Sequence, residues 1–382
     1  MPNLTVDDFN QISEVCIYFP LLCKLCKAES NNTENKLQVF TNPKNVLETE
    51  IESYKEKDKE KYCGLVCLVL NNNEVCLDGL QRNPGLLSTG LQLCGLPSHT
   101  SPNIIIRKLE SLQGFLVKMI GKKYSFYHDF VMEVTSYVFG SEYPEPIIKY
   151  ADLSFLRKRI RLEKSQKKAD GPSTIILSDY HVSSLVKRLF EELFRERFIE
   201  VVLNPCLRNK QVIDCMETML NGLDEQKMLQ LINLQETNTE KLDLKRGKEN
   251  YRYSTLEFIC AETGLSPLFA LIAFGHDEIS KLCLTLLKQR NAGFNKSGLF
   301  PAICANGNED FIRMFSKKEI NECLEETWDN MHPIHIVSVF HNYNILNIVD
   351  ERGTNVDMFT KDTLDWTPLM LASRIHTKQN MK

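Results

Sequence analysis

"GLSPLFALIAFGHDEI", Gly264 to Ile279, decides how the last third of the chain is read. Pro267 brings a φ already set for the first turn of a helix. An apolar run follows, and Gly275 stands where a helix end favours a left-handed residue. The outline recurs in "GLFPAICANGNEDF" (298–311), "MHPIHIVSVFHNYNIL" (331–346) and "DWTPLMLAS" (365–373), with "ERGTNVD" (351–357) closing the third copy. The slot held by Pro267, Leu299, Pro333 and Pro368 returns at spacings of 32, 34 and 35 residues. A period of this size marks an array of helical pairs, each burying its apolar face on the next. The competing reading is a set of unrelated helical hairpins.

These copies resemble the ankyrin repeat, G-x-T-P-L-H-x-A-A-x-x-G-H-x-x-I, whose period is about 33 residues. The matching positions are Pro267, Leu268, Gly275, His276, Pro333, His335, Gly353, Thr367, Pro368 and Leu369. The resemblance implies a solenoid over residues 255–382 whose concave face binds a protein partner. It also gives His335, in the P-L-H slot, a hydrogen bond between repeats. Leu271 and Ile272 fill both alanine slots, and Asn308 stands in the His slot. The fourth copy opens just before Lys382, so a truncated array is expected.

Composition sets the outer limits. The 382 residues are 43% hydrophobic and 25% charged, with a net charge of -4, which gives no electrostatic case for nucleic acid or membrane as the main partner. The opening "MPNLTVDDFNQISE" is acidic and polar where a secretory signal is basic and then apolar. With 13 cysteines and no signal, reduced thiols and a cytoplasmic setting are expected. The apolar run Gly64–Leu70 is too short to cross a bilayer.

Upstream, the patterning is that of a mainly α chain in several modules. Residues 1–70 read as a helical bundle, with a helix start at Thr5 and Asp8 and a break at Pro20. Pro43 opens a long helical stretch to about Asn71, and its solvated middle, "SYKEKDKEKY", is where one helix passes to another. Over 71–141 the pattern is mixed: a helix in "SPNIIIRKLES", strands "FLVKMI" and "YSFY" around the turn "GKK", then another helix. Helices followed by such a hairpin have the outline of a winged helix. Residues 142–250 form a helical connector, with a loop at 163–173 and an amphipathic helix carrying Leu185, Val186, Leu189, Phe190, Leu193 and Phe194 on one face. The polar stretch "QETNTEKLDLKRGKENYRY" marks the boundary before the repeats.

"FYHDFVMEV", Phe126–Val134, is the main candidate for chemistry. His128, Asp129 and Glu133 admit three readings. They could form a hydrolytic metal site, which would need a further His and Asp on the same ion. They could be a helix start, with Asp129 favouring the dipole of the first turn. The third reading comes from resemblance. The order "YFPLLCKL", hairpin, "FYHDFVMEV" resembles the segment after the nucleotide-binding core of STAND NTPases, which include apoptotic ATPases and immune receptors of animals and plants. It looks closest to the novel-STAND class with ankyrin repeats. The resemblance implies that Pro20 packs on adenine and that His128-Asp129 is the nucleotide-sensing doublet of the winged helix. Tyr18 and Tyr127 depart from the Gly and Met expected there. No G-x-x-x-x-G-K-[ST] loop and no Walker-type acidic strand occurs in the chain, so nothing here cradles phosphates and no ATPase activity is expected of it.

Cys23 and Cys26 form a lone CxxC without the second pair a zinc site needs, and read as buried helix cysteines. His332, His335 and His341 read as repeat positions, and "RKRIRLEKSQKK" (157–168) as a solvated basic surface. The expectation is a non-catalytic regulatory and protein-binding portion of a STAND-type signalling protein. No cofactor or metal is implied, and an NTPase core or self-association are further possible partners. Two rivals stand beside it: an independent ankyrin adaptor with no nucleotide role, and a metal-dependent hydrolase using the His-Asp doublet.

Overall fold

Every residue from Tyr62 to Leu70 is buried, so beyond its charged first turn the helix "KEKYCGLVCLVL" is apolar all round and sits inside its neighbours. The computed structural model describes residues 42–163, 174–234, 265–290, 297–328, 331–351, 356–362 and 365–379. Pro20, Cys23, Cys26 and Gly353, the expected helix start at Thr5, most of the 163–173 loop and the polar boundary before the repeats lie outside them. The chain is mainly helical and divides into two compact units, Met1–Leu185 and Val186–Lys382. Among the described residues no helix is long and apolar enough to cross a membrane.

In the first unit, α1 (Pro43–Lys57) passes to α2 (Lys59–Leu70) at Asp58, inside the stretch where a helix junction is expected. Asp58 accepts from Lys61 N at 3.2 Å and from Lys108 Nζ at 2.9 Å, which caps α2 and ties it to α5 (Pro102–Ser111). Gly64 allows that approach: a Cβ there would lie 3.0 Å from the Leu109 side chain. After α2 the chain turns through Asn72 and Asn73, both with positive φ, and Asn73 Oδ1 accepts from Phe126 N at 2.6 Å. Val75 then bridges Tyr124 by two backbone hydrogen bonds of 3.0 and 2.7 Å. Next come α3 (Leu77–Arg82), α4 (Pro84–Leu93) and α5, followed by the antiparallel hairpin β1 (Val117–Ile120) and β2 (Lys123–Phe126). Helices α6 (Asp129–Glu142), α7 (Pro144–Tyr150) and α8 (Leu153–Arg159) follow. A short parallel pair, β3 (Ile160–Leu162) with β4 (Ile175–Leu177), flanks the expected loop, and the sequence reading did not anticipate it. Three-residue strands are too short to show a period of two.

Helix α9 (Val182–Leu193) spans the divide, with Leu185, Val186, Leu189, Phe190 and Leu193 buried as its pattern predicts. The second unit continues with α10 (Phe198–Val202), α11 (Lys210–Asn221) and α12 (Glu225–Asn233). Then come α13 (Pro267–Ala273) with α14 (Asp277–Gln289), α15 (Phe300–Asn306) with α16 (Glu309–Ile312), and α17 (Lys317–Glu325). Last are α18 (Pro333–Phe340) with α19 (Asn344–Glu351), and α20 (Pro368–Gln379). First helices lie on first helices in succession, α10 on α13, α13 on α15, α15 on α18 and α18 on α20. Second helices follow, α11 on α14 and α16 on α19. The succession therefore starts at α10, inside the stretch that sequence assigns to a connector. No copy of the motif is legible there because its first helix is a short apolar segment, "FIEVV", with no Pro at its start.

Candidate functional site

The turn of each pair rests on one slot. Gly275, Gly307 and His341 have φ of +74°, +82° and +59°, and each lies eight residues beyond Pro267, Leu299 and Pro333. The left-handed residue ends the first helix and frees the next side chain to reach back. His276 Nε2 meets Val202 O at 2.8 Å, Asn308 Nδ2 meets Asp277 Oδ2 at 2.6 Å, and Asn342 Nδ2 meets the carbonyls of Cys304 and Ala305, each at 2.8 Å. Asn306 Nδ2 adds bonds to Ile272 O at 2.6 Å and Asp277 Oδ1 at 2.9 Å, and Asn344 Nδ2 one to Gly307 O at 2.7 Å. Last-turn carbonyls have no partner within their own helix. Here the following pair supplies it, so the pairs interlock.

Sequence reasoning singled out His276, took Asn308 only as a departure in the His slot, and missed Asn306, Asn342 and Asn344. The signal was present: "NGN" (306–308) and "NYN" (342–344) occupy the turn in consecutive copies.

The remaining motif residues fall into place unevenly. Pro267 and Leu268 are buried at the start of α13, and Leu271 and Ile272, in the alanine slots, are buried too. Pro333 opens α18, and His335 is fully buried. Its Nε2 lies 3.1 Å from the carbonyl oxygens of both Thr360 and Trp366, so Nε2–H donates. Its Nδ1 is buried without a partner among the described residues, and burial pushes the imidazole pKa down. His276 is shifted the same way, again chiefly by burial. Thr367 Oγ1 accepts from Met370 N at 3.3 Å, and Pro368 follows at the start of α20. Leu369 differs from its counterparts: it is 73% exposed, where Leu268 is 0% and Ile334 4% exposed. No described pair packs on that side of α20. This helix also runs without a break to Gln379, past the position where the earlier copies turn.

In the first unit, "FYHDFVMEV" begins α6. His128 is its N-cap, with extended backbone, and Nδ1 accepts from Phe130 N at 3.1 Å. Asp129 is exposed in the first turn, where a negative charge favours the helix dipole. Glu133 pairs with Arg159 of α8. A cleft of about 310 Å³ opens beside them, lined by Asn72, Asp129, Glu133, Ser136, Asp152 and Lys158 among others. Asp152 is committed to the N-cap of α8, accepting from Ser154 N at 2.8 Å. Among the described residues no group of three or more His, Cys, Asp or Glu is placed to hold a metal ion. The His332 and His335 rings lie tilted to each other with centroids 5.9 Å apart, whereas the His341 ring turns to Tyr343, its Nδ1 3.1 Å from that hydroxyl.

The chain matches no protein-family model, and neither curated proteins nor solved structures gave a match.

Proposed function

We propose that the chain is the non-catalytic, regulatory and protein-binding portion of a STAND-type signalling protein. In this reading the ankyrin-type solenoid expected over residues 255–382 takes in α10 as an earlier first helix, and the first unit contains a winged helix. The observation that carries the protein-binding half is the interlocked succession α10, α13, α15, α18, α20, tied across each turn by His276, Asn308 and Asn342. A stack of this kind presents one extended surface built from equivalent positions, suited to a protein ligand rather than to a small molecule. Large side chains stand exposed within the second and third copies, at differing positions of the repeat: Met314, Tyr343, Met358 and Phe359. Methionine and aromatic residues are enriched at the centres of protein interfaces.

The element order supports the winged-helix half of the reading: α2, the Val75 bridge strand, α3 to α5, then a hairpin whose second strand pairs with Val75. His128 and Asp129 follow at once, at the head of α6. The test is a photo-crosslinking scan in cells, with the crosslinker at Met314, Tyr343, Met358 and, as a control in the first unit, Tyr180. Discrete crosslinks from the stack positions alone support the reading. Crosslinks from Tyr180 alone, or from none, contradict it.

The adaptor reading keeps one observation in its favour. His128 already has a structural task as an N-cap, which any capable capping residue could perform.

A further inference from the structure

The β1–β2 hairpin ends in a two-residue turn, Gly121-Lys122, with Gly121 at φ +63°. Glycine at the first turn position fits the sharp reversal that matches strand twist, so the hairpin closes abruptly at its tip. The last strand residues are apolar yet solvent-facing: Met119 is 46% and Ile120 65% exposed. Lys118 and Lys122, on either side of them, are exposed and have no ion pair among the described residues. Two carboxylates lie near the hairpin. Glu74 is paired with Lys123, and Glu110 lies near Tyr124, the cross-strand partner of Met119. The tip therefore carries a local positive charge around two large apolar side chains, although the whole chain is net negative.

We propose that this hairpin tip docks on an anionic lipid surface. Met119 and Ile120 enter the boundary between headgroups and acyl chains, and Lys118 and Lys122 lie against lipid phosphates. Burial of apolar area combined with attraction to anionic lipid is the basis of interfacial binding, and neither element alone holds a protein firmly. The same charges face a nucleic-acid backbone less well. Phosphodiesters offer nothing to the apolar side chains that lead the tip, and binding there would rest on lysines alone.

The test is co-sedimentation of the full chain with phosphatidylcholine vesicles, with and without phosphatidylserine, at low and high salt. A short DNA duplex is measured in parallel. Binding is expected only with the anionic vesicles, and is expected to weaken with salt. Lys118→Ala with Lys122→Ala is expected to lower partitioning about thirtyfold. Met119→Ser with Ile120→Ser is expected to lower it about tenfold or more. Unchanged circular dichroism and melting show that each variant is folded. Equal binding to neutral vesicles, binding that neither variant changes, or tip-dependent binding to the duplex in place of vesicles each overturns the proposal.

Discussion

Asn342 holds Cys304 from the next helical pair: its Nδ2 donates to the Cys304 carbonyl at 2.8 Å, and to Ala305 O at the same distance. These oxygens belong to the last turn of α15 and depend on a side chain 38 and 37 residues further along. Asn342→Ala leaves both without that donor. A lost partner for a buried polar group costs about 1–3 kcal/mol. Denaturant melts of the full chain should show a loss of this size. Asn342→Asp should be at least as harmful, because a carboxylate cannot donate to a carbonyl.

The left-handed slot gives a second, signed prediction. His341 adopts φ +59° without being glycine, whereas Gly307 in the equivalent slot has φ +82° and a Cβ there would lie 2.4 Å from Asn342 Oδ1. Gly307→Ala should destabilise by about 1–2 kcal/mol from the backbone alone, with a further loss as Asn342 is displaced. His341→Gly should be neutral or slightly stabilising, since it relieves the strain but loses the Tyr343 contact. Only the Gly307→Ala melt should therefore shift to lower stability.

Stability of the second unit should depend on pH below neutrality. His276 and His335 are held neutral, with folded pKa values pushed below the ordinary value near 6.5 by burial. The unfolded chain then binds more protons than the folded one, so stability rises with pH in this window. Their contribution is complete above about pH 6.5 and shrinks as pH falls toward the lower folded values. Protonation at His335 Nδ1 would place a buried N–H where no acceptor lies among the described residues. Thermal melts at descending pH should show this loss, and His335→Asn should flatten the dependence.

Thiol reactivity should follow burial. Cys283 is fully buried, and desolvation pushes its pKa up to about 12, so almost none is thiolate at neutral pH. Cys304 is shifted upward as well. Cys76 and Cys215 are partly exposed. Among the described cysteines, timed alkylation with mass mapping should modify Cys76 and Cys215 first, and Cys283 and Cys304 only on unfolding.

His128 separates a cap from a sensor. Alanine removes the acceptor for Phe130 N and should cost about 1 kcal/mol. Asparagine keeps a capping group and removes the imidazole. If the doublet has a regulatory task, His128→Asn should change signalling in cells while leaving the melt close to wild type. If only the cap matters, His128→Asn should behave as wild type and His128→Ala should lose stability alone.

Much of the fold was legible because local chemistry and tertiary packing agree. Pro267 and Pro333 open helices, Gly275 and Gly307 take left-handed turns, and the hairpin lies where "FLVKMI" and "YSFY" place it. What escaped depends on distant partners. Nothing local marks α10 as the first helix of the stack, since its role comes from packing on α13. Asn342 carries no apolar period, and its importance shows only when the α15 carbonyls are seen in front of it. At the candidate site, sequence placed His128, Asp129 and Glu133 in one helical stretch, but the cap at Phe130 N depends on the His128 backbone turning extended, and the pairing of Glu133 with Arg159 on the approach of α8 to α6.

The most direct test of the central claim is the affinity of the partner captured from the stack, measured against alanine variants of its exposed side chains. Tyr343→Ala and Phe359→Ala should each weaken binding by about tenfold or more, the size expected when an interface anchor is removed. Tyr180→Ala, in the first unit, should leave binding unchanged. If Tyr180→Ala abolishes binding while the stack variants bind as tightly as wild type, the repeat surface is not where the partner is held and the account fails.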